Sequence, residues 1–203
     1  MSDLFEEPDN ATPLTLDERR ELIPAHIAYR RELNDAEQES IVRAHDWALG
    51  RRRDILTEKF IKDLHGRMLG DVWRWAGTFR TSDRNLGIPH HEIPVALHQL
   101  LDDARAWIEN KAYSPDEIAV RFHHRLVQIH PFPNGNGRHA RLMADLSVMS
   151  LGGRRFSWGS ANLQDTGELR RRYITALKAA SLSSVARQQP GVDGSAKARR
   201  ALP

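Results

Sequence analysis

The stretch His130-Pro131-Phe132-Pro133-Asn134-Gly135-Asn136-Gly137-Arg138, followed by Arg141, holds the residues best suited to chemistry in this 203-residue chain. Gly135 and Gly137 allow a sharp backbone turn and the close approach of a ligand, because neither carries a Cβ. A helix that begins at such a turn offers unpaired N–H groups and the positive end of its dipole to an anion. Arg138 and Arg141 are three residues apart and project over the same side of the first helical turns. Their planar, permanently charged forks match phosphate oxygens, and two of them at one pocket suggest a polyphosphate more than a single phosphate. His130 comes just before the turn, Pro131 fixes the backbone after it, and Phe132 is placed to bury and pin the loop. A histidine pinned beside an anion site is suited to take a proton from a hydroxyl attacking phosphorus. Position 134, where such a site would profit from a carboxylate, is an asparagine. Taken alone, the same residues also fit a glycine-rich helix start with two solvated arginines and a histidine that only ends a helix. The stretch is neither GxxxxGK[ST] nor GxGxxG.

Helices must position these residues. Thr15 with Glu18 makes a capping-box pattern for a short helix that Pro24 interrupts. Asn34 with Glu37 resembles a second start, and Ile41, Ala44 and Ala48 recur on one face until Gly50. Arg51-Arg52-Arg53 reads as a solvated helix junction. Phe60, Ile61, Leu64 and Met68 have helical spacing up to Gly70, and Trp73 and Trp75 follow as core anchors. Residues 78–93 break the rhythm: Thr78-Phe79-Arg80-Thr81 and Gly87-Ile88 flank the polar centre Ser82-Asp83-Arg84-Asn85, which predicts a short hairpin or flap. Leu97, Leu100, Leu101, Ala104, Trp107 and Ile108 give the cleanest amphipathic helix. Ser114-Pro115-Asp116-Glu117 starts the next one and delivers His130 at its end. Ala140, Met143, Leu146 and Met149 continue after the turn until Gly152-Gly153. A last helix is expected near Thr166, using Leu169, Tyr173, Leu177 and Ala180. From Gln188 the composition turns to Pro, Gly, Ser and Lys/Arg, so a disordered tail is expected. The class is all-α with one short β-hairpin.

Several functions are excluded. Without cysteine there can be no disulfide, thiolate nucleophile or Cys-based zinc site. Neither His90-His91 nor His123-His124 has HExxH spacing, so no dedicated zinc site is expected. The acidic start MSDLFEEPDN, without an apolar core, is not expected to act as a signal peptide, and no apolar run approaches a membrane span. The net charge of +3 does not by itself imply an acidic partner. A cytoplasmic protein without membrane contact is the expectation.

The whole constellation resembles the Fic family, whose signature is HPFx(D/E)GNGRxxR. Seven of the eight defined residues in its first nine positions match as His130, Pro131, Phe132, Gly135, Asn136, Gly137 and Arg138, and Arg141 supplies the last arginine. Trp75-Ala76-Gly77 with Arg80 looks like the W-A-G-x-x-R segment that precedes the Fic flap. The resemblance covers about 55–185, preceded by an arm and helices packing on the core over 1–54 and followed by a basic tail over 186–203. The run Thr12-Pro13-Leu14 through Ile23-Pro24, with Glu32-Leu33-Asn34, resembles the subfamily called mobile mystery protein B, which is associated with mobile elements and a neighbouring helix-turn-helix protein.

By resemblance, the fold is a Fic helical bundle with one hairpin flap, and the reaction moves AMP from ATP onto a protein Ser, Thr or Tyr hydroxyl. His130 would be the general base and Phe132 a structural anchor. Gly135, Asn136 and Gly137 would form the nest for the α/β-phosphates, with Arg138 and Arg141 on the β/γ-phosphates. The flap, with Arg80, Thr81, Ser82, Asp83, Gly87 and Ile88, would align an unknown protein target by strand addition. In active members the Asp/Glu holds Mg²⁺ across the phosphates. Asn134 offers only a neutral carbonyl oxygen, which weakens that site. A slowed AMP transferase, a catalytically silent nucleotide-binding regulator of a mobile-element or toxin–antitoxin-like pair, and a different phosphate-group transfer all remain open. A DNA-associated structural protein using Arg51–Arg53 and the basic tail is a further reading, although direct nucleic-acid contact is not the expectation. No strict (S/T)xxxE(G/N) inhibitory motif is present, so restraint by that motif is not expected.

Overall fold

Side chains that satisfy backbone N–H groups start most of the helices in the computed structural model, which describes residues 14–158. Thr15 and Glu18 close a reciprocal capping box at 2.8 and 3.3 Å and begin α1, Leu16–Arg20. Thr57 caps α3, Glu58–Leu69, through the Phe60 N–H at 3.1 Å. Ser114 caps α5, Pro115–Ile129, through the Glu117 N–H at 3.3 Å. Between α1 and α3, α2 runs from Arg30 to Leu49 and starts earlier than Asn34. The reason is Glu32, whose carboxylate accepts the Ala28 and Tyr29 N–H groups at 2.9 and 3.2 Å. Asn34 lies inside the helix and accepts from Arg30 Nε at 3.1 Å. Helix α4 spans Ile93–Glu109 after a 3-10 turn at His90–Glu92, and α6 spans Asn136–Ser150.

The amphipathic faces meet around α6. Helices α5 and α6 pack most extensively; α2 lies on α3 and α4 on α5, and α3 and α2 also reach α6. Ten of the fifteen α6 residues are buried, among them Ala140, Leu142, Met143 and Leu146. The core is completed by Leu33, Ala44 and Ala48 of α2, Phe60, Ile61, Leu64 and Met68 of α3, Leu97 and Leu100 of α4, and Phe122 and Leu126 of α5. Trp73 and Trp75 stack at 5.2 Å and are buried, as anchors should be. Trp75 Nε1 also donates to Glu18 O, tying α1 to this turn. Arg53 lies over Trp47 at 4.1 Å, while Arg51 and Arg52 are exposed.

Residues 78–89 do not form the expected hairpin; among the described residues the only extended pairing is a single bridge, Leu22 to Trp73. The loop is instead organised around Arg80, which is 3% exposed. Its guanidinium donates to the carbonyls of His130 at 2.7 Å, Ser82 at 2.9 Å and Ile129 at 3.4 Å, and to that of Ile88. The Ser82 and Ile88 carbonyls, which paired strands would have used, are thus occupied by one side chain. Arg80→Leu should strand these buried acceptors and lower stability by about 3 kcal/mol, measured by denaturant unfolding.

The arm at 1–13, the helix expected near Thr166 and the tail from Gln188 lie outside the described residues. Among those residues, no helix is long and apolar enough to cross a membrane.

Candidate active site

Helix α5 ends at His130, whose backbone is left-handed at φ 54° and ψ 59°. Histidine adopts this region more readily than bulky or β-branched residues do, and two contacts hold it there. The His130 N–H closes the helix on Leu126 O at 3.1 Å, and its carbonyl accepts Arg80 Nε. The ring is buried, with Nδ1 3.3 Å from Val127 O. A carbonyl can only accept, so Nδ1 carries the proton and Nε2 the lone pair. Burial pushes this ring down to about 4, and the neighbouring Arg80 and Arg84 charges push the same way. It is therefore unprotonated at neutral pH, as a base must be.

The turn after it is locked from inside. Phe132 is fully buried. Asn136 pairs both ends of its carboxamide with the Phe132 backbone, accepting its N–H at 2.9 Å and donating to its carbonyl at 2.8 Å. Asn136 is one of the three residues expected to form the phosphate nest; its side chain is committed to the loop, and its N–H is the group left for that role. Gly135 ends the turn at φ +76°, and a Cβ there would come within 2.6 Å of Leu69 Cδ1. From this point α6 presents the N–H groups of Asn136, Gly137 and Arg138, which have no acceptor within the helix.

Arg138 Nη1 donates to Glu37 Oε2 of α2 at 2.8 Å, so one of its donors is already engaged. Glu37 is itself buried and accepts Trp73 Nε1 at 2.7 Å. Sequence reasoning missed it as a partner, although a signal existed: Glu37 shares the buried face of α2 with Leu33, Ala44 and Ala48. Arg141 is half-buried one turn further along α6. His123 feels its charge: burial first and Arg141 second bring that ring down to about 4.

Asn134 Oδ1 accepts the Gly135 N–H at 2.6 Å. Among the described residues no group of three or more His, Asp or Glu side chains could hold a metal ion. A neutral amide on a turn, 130–138, that contains no Asp or Glu does not fit a protein-held Mg²⁺.

The 78–89 loop closes over His130. A Cβ on Gly87, at φ +101°, would lie 2.6 Å from His130 Cβ and 2.9 Å from Arg80 Nη2. Asp83 Oδ1 accepts the His90 N–H at 2.7 Å and lies 2.9 Å from its Nδ1, drawing the loop shut. Thr81 and Asp83 are exposed and Ser82 and Ile88 half-buried, whereas Arg80 is sealed beneath them.

His65 of α3 is a second residue that sequence reasoning missed. It is fully buried, accepts the Gly77 N–H on Nδ1 at 2.9 Å, and sets Nε2 3.0 Å from Asn134 O. Burial holds this ring well below its ordinary value, and burial brings His139 to about 3. With His123 and His130, four rings are thus neutral in the folded protein but take up protons near pH 6.5 once unfolded. Protonation favours the unfolded chain as pH falls below that value. Stability present above about pH 6.5 should fall by about 1.4 kcal/mol per pH unit for each ring that titrates only when unfolded. Denaturant midpoints measured between about pH 7 and pH 4.5 check this.

Residues 55–147, which include both the turn and the Arg80 loop, match the Fic/DOC family. The protein adenylyltransferase Fic of Aedes aegypti is 34% identical over 105 residues, covering 50% of this chain and 21% of that one. The Caenorhabditis elegans protein adenylyltransferase fic-1 is 32% identical over 108 residues, covering 51% and 21%. This chain spans only about a fifth to a third of the length of the curated relatives it matches. A solved Fic-1 structure from C. elegans aligns with TM-score 0.60 at 26% identity, covering 83% of this chain and 49% of that one. BepC of Bartonella tribocorum, solved with bound AMPPNP, shares the fold with TM-score 0.54 at 18% identity, covering 68% and 80%. A histidine-to-arginine signature on a turn of this geometry, a matching family profile and matching structures lead to one conclusion: this chain carries a domain of the Fic/DOC family.

Proposed function

We propose that this chain transfers AMP from ATP to a protein hydroxyl, with His130 as the base and the 135–141 turn as the phosphate site. The observation that carries this reading is the contact of His130 Nδ1 with Val127 O. At 3.3 Å that carbonyl sets the hydrogen on Nδ1 and the lone pair on Nε2, in a residue six positions before the start of α6 and its two arginines. The target hydroxyl oxygen would form a bond to the α-phosphorus, and the bond from that phosphorus to the bridging oxygen would break. Pyrophosphate leaves, and the hydroxyl proton passes to Nε2. Burial makes the ring a weaker base than free imidazole, but phosphate charge next to it favours the imidazolium and restores basicity. The N–H groups of Asn136, Gly137 and Arg138, with Arg141 and the remaining donors of Arg138, would hold the charge of the phosphates.

Arg80 supports the loop from below rather than touching a target. Thr81, Ser82, Asp83, Gly87 and Ile88 form the surface along which a target segment would lie. The relatives named as protein adenylyltransferases and the AMPPNP-bound BepC support ATP as the substrate. Asn134 favours a second reading, a nucleotide-binding regulator with little chemistry, because a divalent cation finds no anionic protein ligand at the turn. Incubation with ATP labelled at either the α- or the γ-phosphate separates the readings. Transfer of the α-label onto protein is expected; transfer of the γ-label would indicate phosphoryl transfer instead, and no transfer with Mg²⁺ or Mn²⁺ would favour the silent regulator.

A further inference from the structure

We propose that His65 is a positioning residue that holds the Asn134–Gly135 peptide in the one orientation that keeps the turn open to an anion. The inference rests on the reading of that turn as a phosphate site. Gly77 N–H can only donate, so Nδ1 of the neutral ring must bear the lone pair. Nε2 then carries the hydrogen and donates to Asn134 O at 3.0 Å. Two backbone partners of opposite polarity thus set a single tautomer. The ring cannot swing away, because it stacks on Phe132 at 3.7 Å with planes 16° apart and has no exposed surface.

The consequence follows from the planarity of the peptide bond. A trans peptide points its C=O and N–H in opposite directions. With the Asn134 carbonyl drawn toward His65 in the core, the Gly135 N–H must face the other way, toward Asn134 Oδ1. If this peptide flipped, the Gly135 N–H would leave Asn134 Oδ1 and the Asn134 carbonyl would turn out of the core beside the start of α6, where unpaired N–H groups collect positive potential. Phosphate would then meet repulsion where it now meets attraction. Glycine at 135 makes the flip sterically easy, because it lacks the Cβ that would oppose it. A side chain from outside the turn is therefore needed to prevent it. The same ring grips Gly77, just ahead of the loop over His130, so one imidazole registers the loop and the turn on the rigid helix α3.

Two substitutions separate the ends of the ring. His65→Gln can still donate to Asn134 O from the position of Nε2, whereas His65→Asn can accept from Gly77 but cannot reach Asn134. The Kd for ATP is expected to rise about tenfold in His65→Asn, the effect of losing one buried hydrogen bond, and to recover in His65→Gln. The Gly135 amide resonance should shift in His65→Asn alone. A merely structural role would instead weaken both variants in proportion to their loss of stability, and equal ATP affinity in folded His65→Asn would overturn the proposal. The native protein provides a test that needs no variant: long-range histidine ¹⁵N spectra should show His65 with its hydrogen on Nε2, and a hydrogen on Nδ1 would overturn it. Should the native protein bind no ATP, the phosphate reading fails, and the Gly135 resonance and the ring tautomer still decide the role of His65.

Discussion

His130→Ala is expected to lower AMP transfer by about 10²–10⁴-fold, the usual contribution of a positioned general base, while ATP affinity stays at the native level. The ring supplies the acceptor for the hydroxyl proton, but the phosphate contacts come from the α6 N–H groups and the arginines. Alanine is less comfortable than histidine at φ 54° and leaves space under Gly87, so some stability is lost as well. His130→Asn controls for that, since asparagine tolerates the left-handed region but is no base. Both variants should lose transfer alike and still bind ATP in calorimetric titration. Transfer that survives in His130→Asn would remove His130 from the chemistry.

Asn134→Asp carries the second large effect. The substitution is nearly isosteric, and the new carboxylate can accept the Gly135 N–H as the amide oxygen does now. It adds the negative charge that a hard cation seeks. Transfer should rise about tenfold or more in the presence of Mg²⁺ and stay near the native rate without it, the size of one added charge-assisted contact. Rates of α-label incorporation with and without Mg²⁺ check this. Equal rates for the two proteins in Mg²⁺ would mean that the charge at 134 does not limit the reaction.

Local signals in the sequence led correctly to the elements that local forces build. Thr15 with Glu18 and Ser114 with Glu117 each satisfy helix N–H groups within three residues, so their effect is visible in a short window. The spacing of Phe60, Ile61, Leu64 and Met68 marked a core face for the same reason. The early start of α2 was missed because Glu32, and not Asn34, does the capping.

The candidate site was legible as a cluster but not in its internal wiring. The turn and its arginines lie in one segment, so their proximity was certain. Which groups remain for a ligand depends on partners far along the chain. Glu37 reaches Arg138 across 101 positions, and His65 reaches Asn134 across 69. Nothing near His65 distinguishes it from any other histidine on a helix. The hairpin failed for a related reason: alternation around residues 78–93 describes a segment that could pair, but the Arg80 guanidinium takes the Ser82 and Ile88 carbonyls. Asn136 shows the same limit at short range, since only the turn geometry brings its carboxamide onto the Phe132 backbone.

The central claim is that the turn binds nucleotide phosphate through backbone donors and arginines, without a protein ligand for a metal. Calorimetric titration of the native protein with ATP, in Mg²⁺ and again in chelator, tests it most directly. Binding under both conditions, with affinity lost in Arg141→Ala, is the predicted result. Absence of binding in both, or binding only when Mg²⁺ is present, would contradict it.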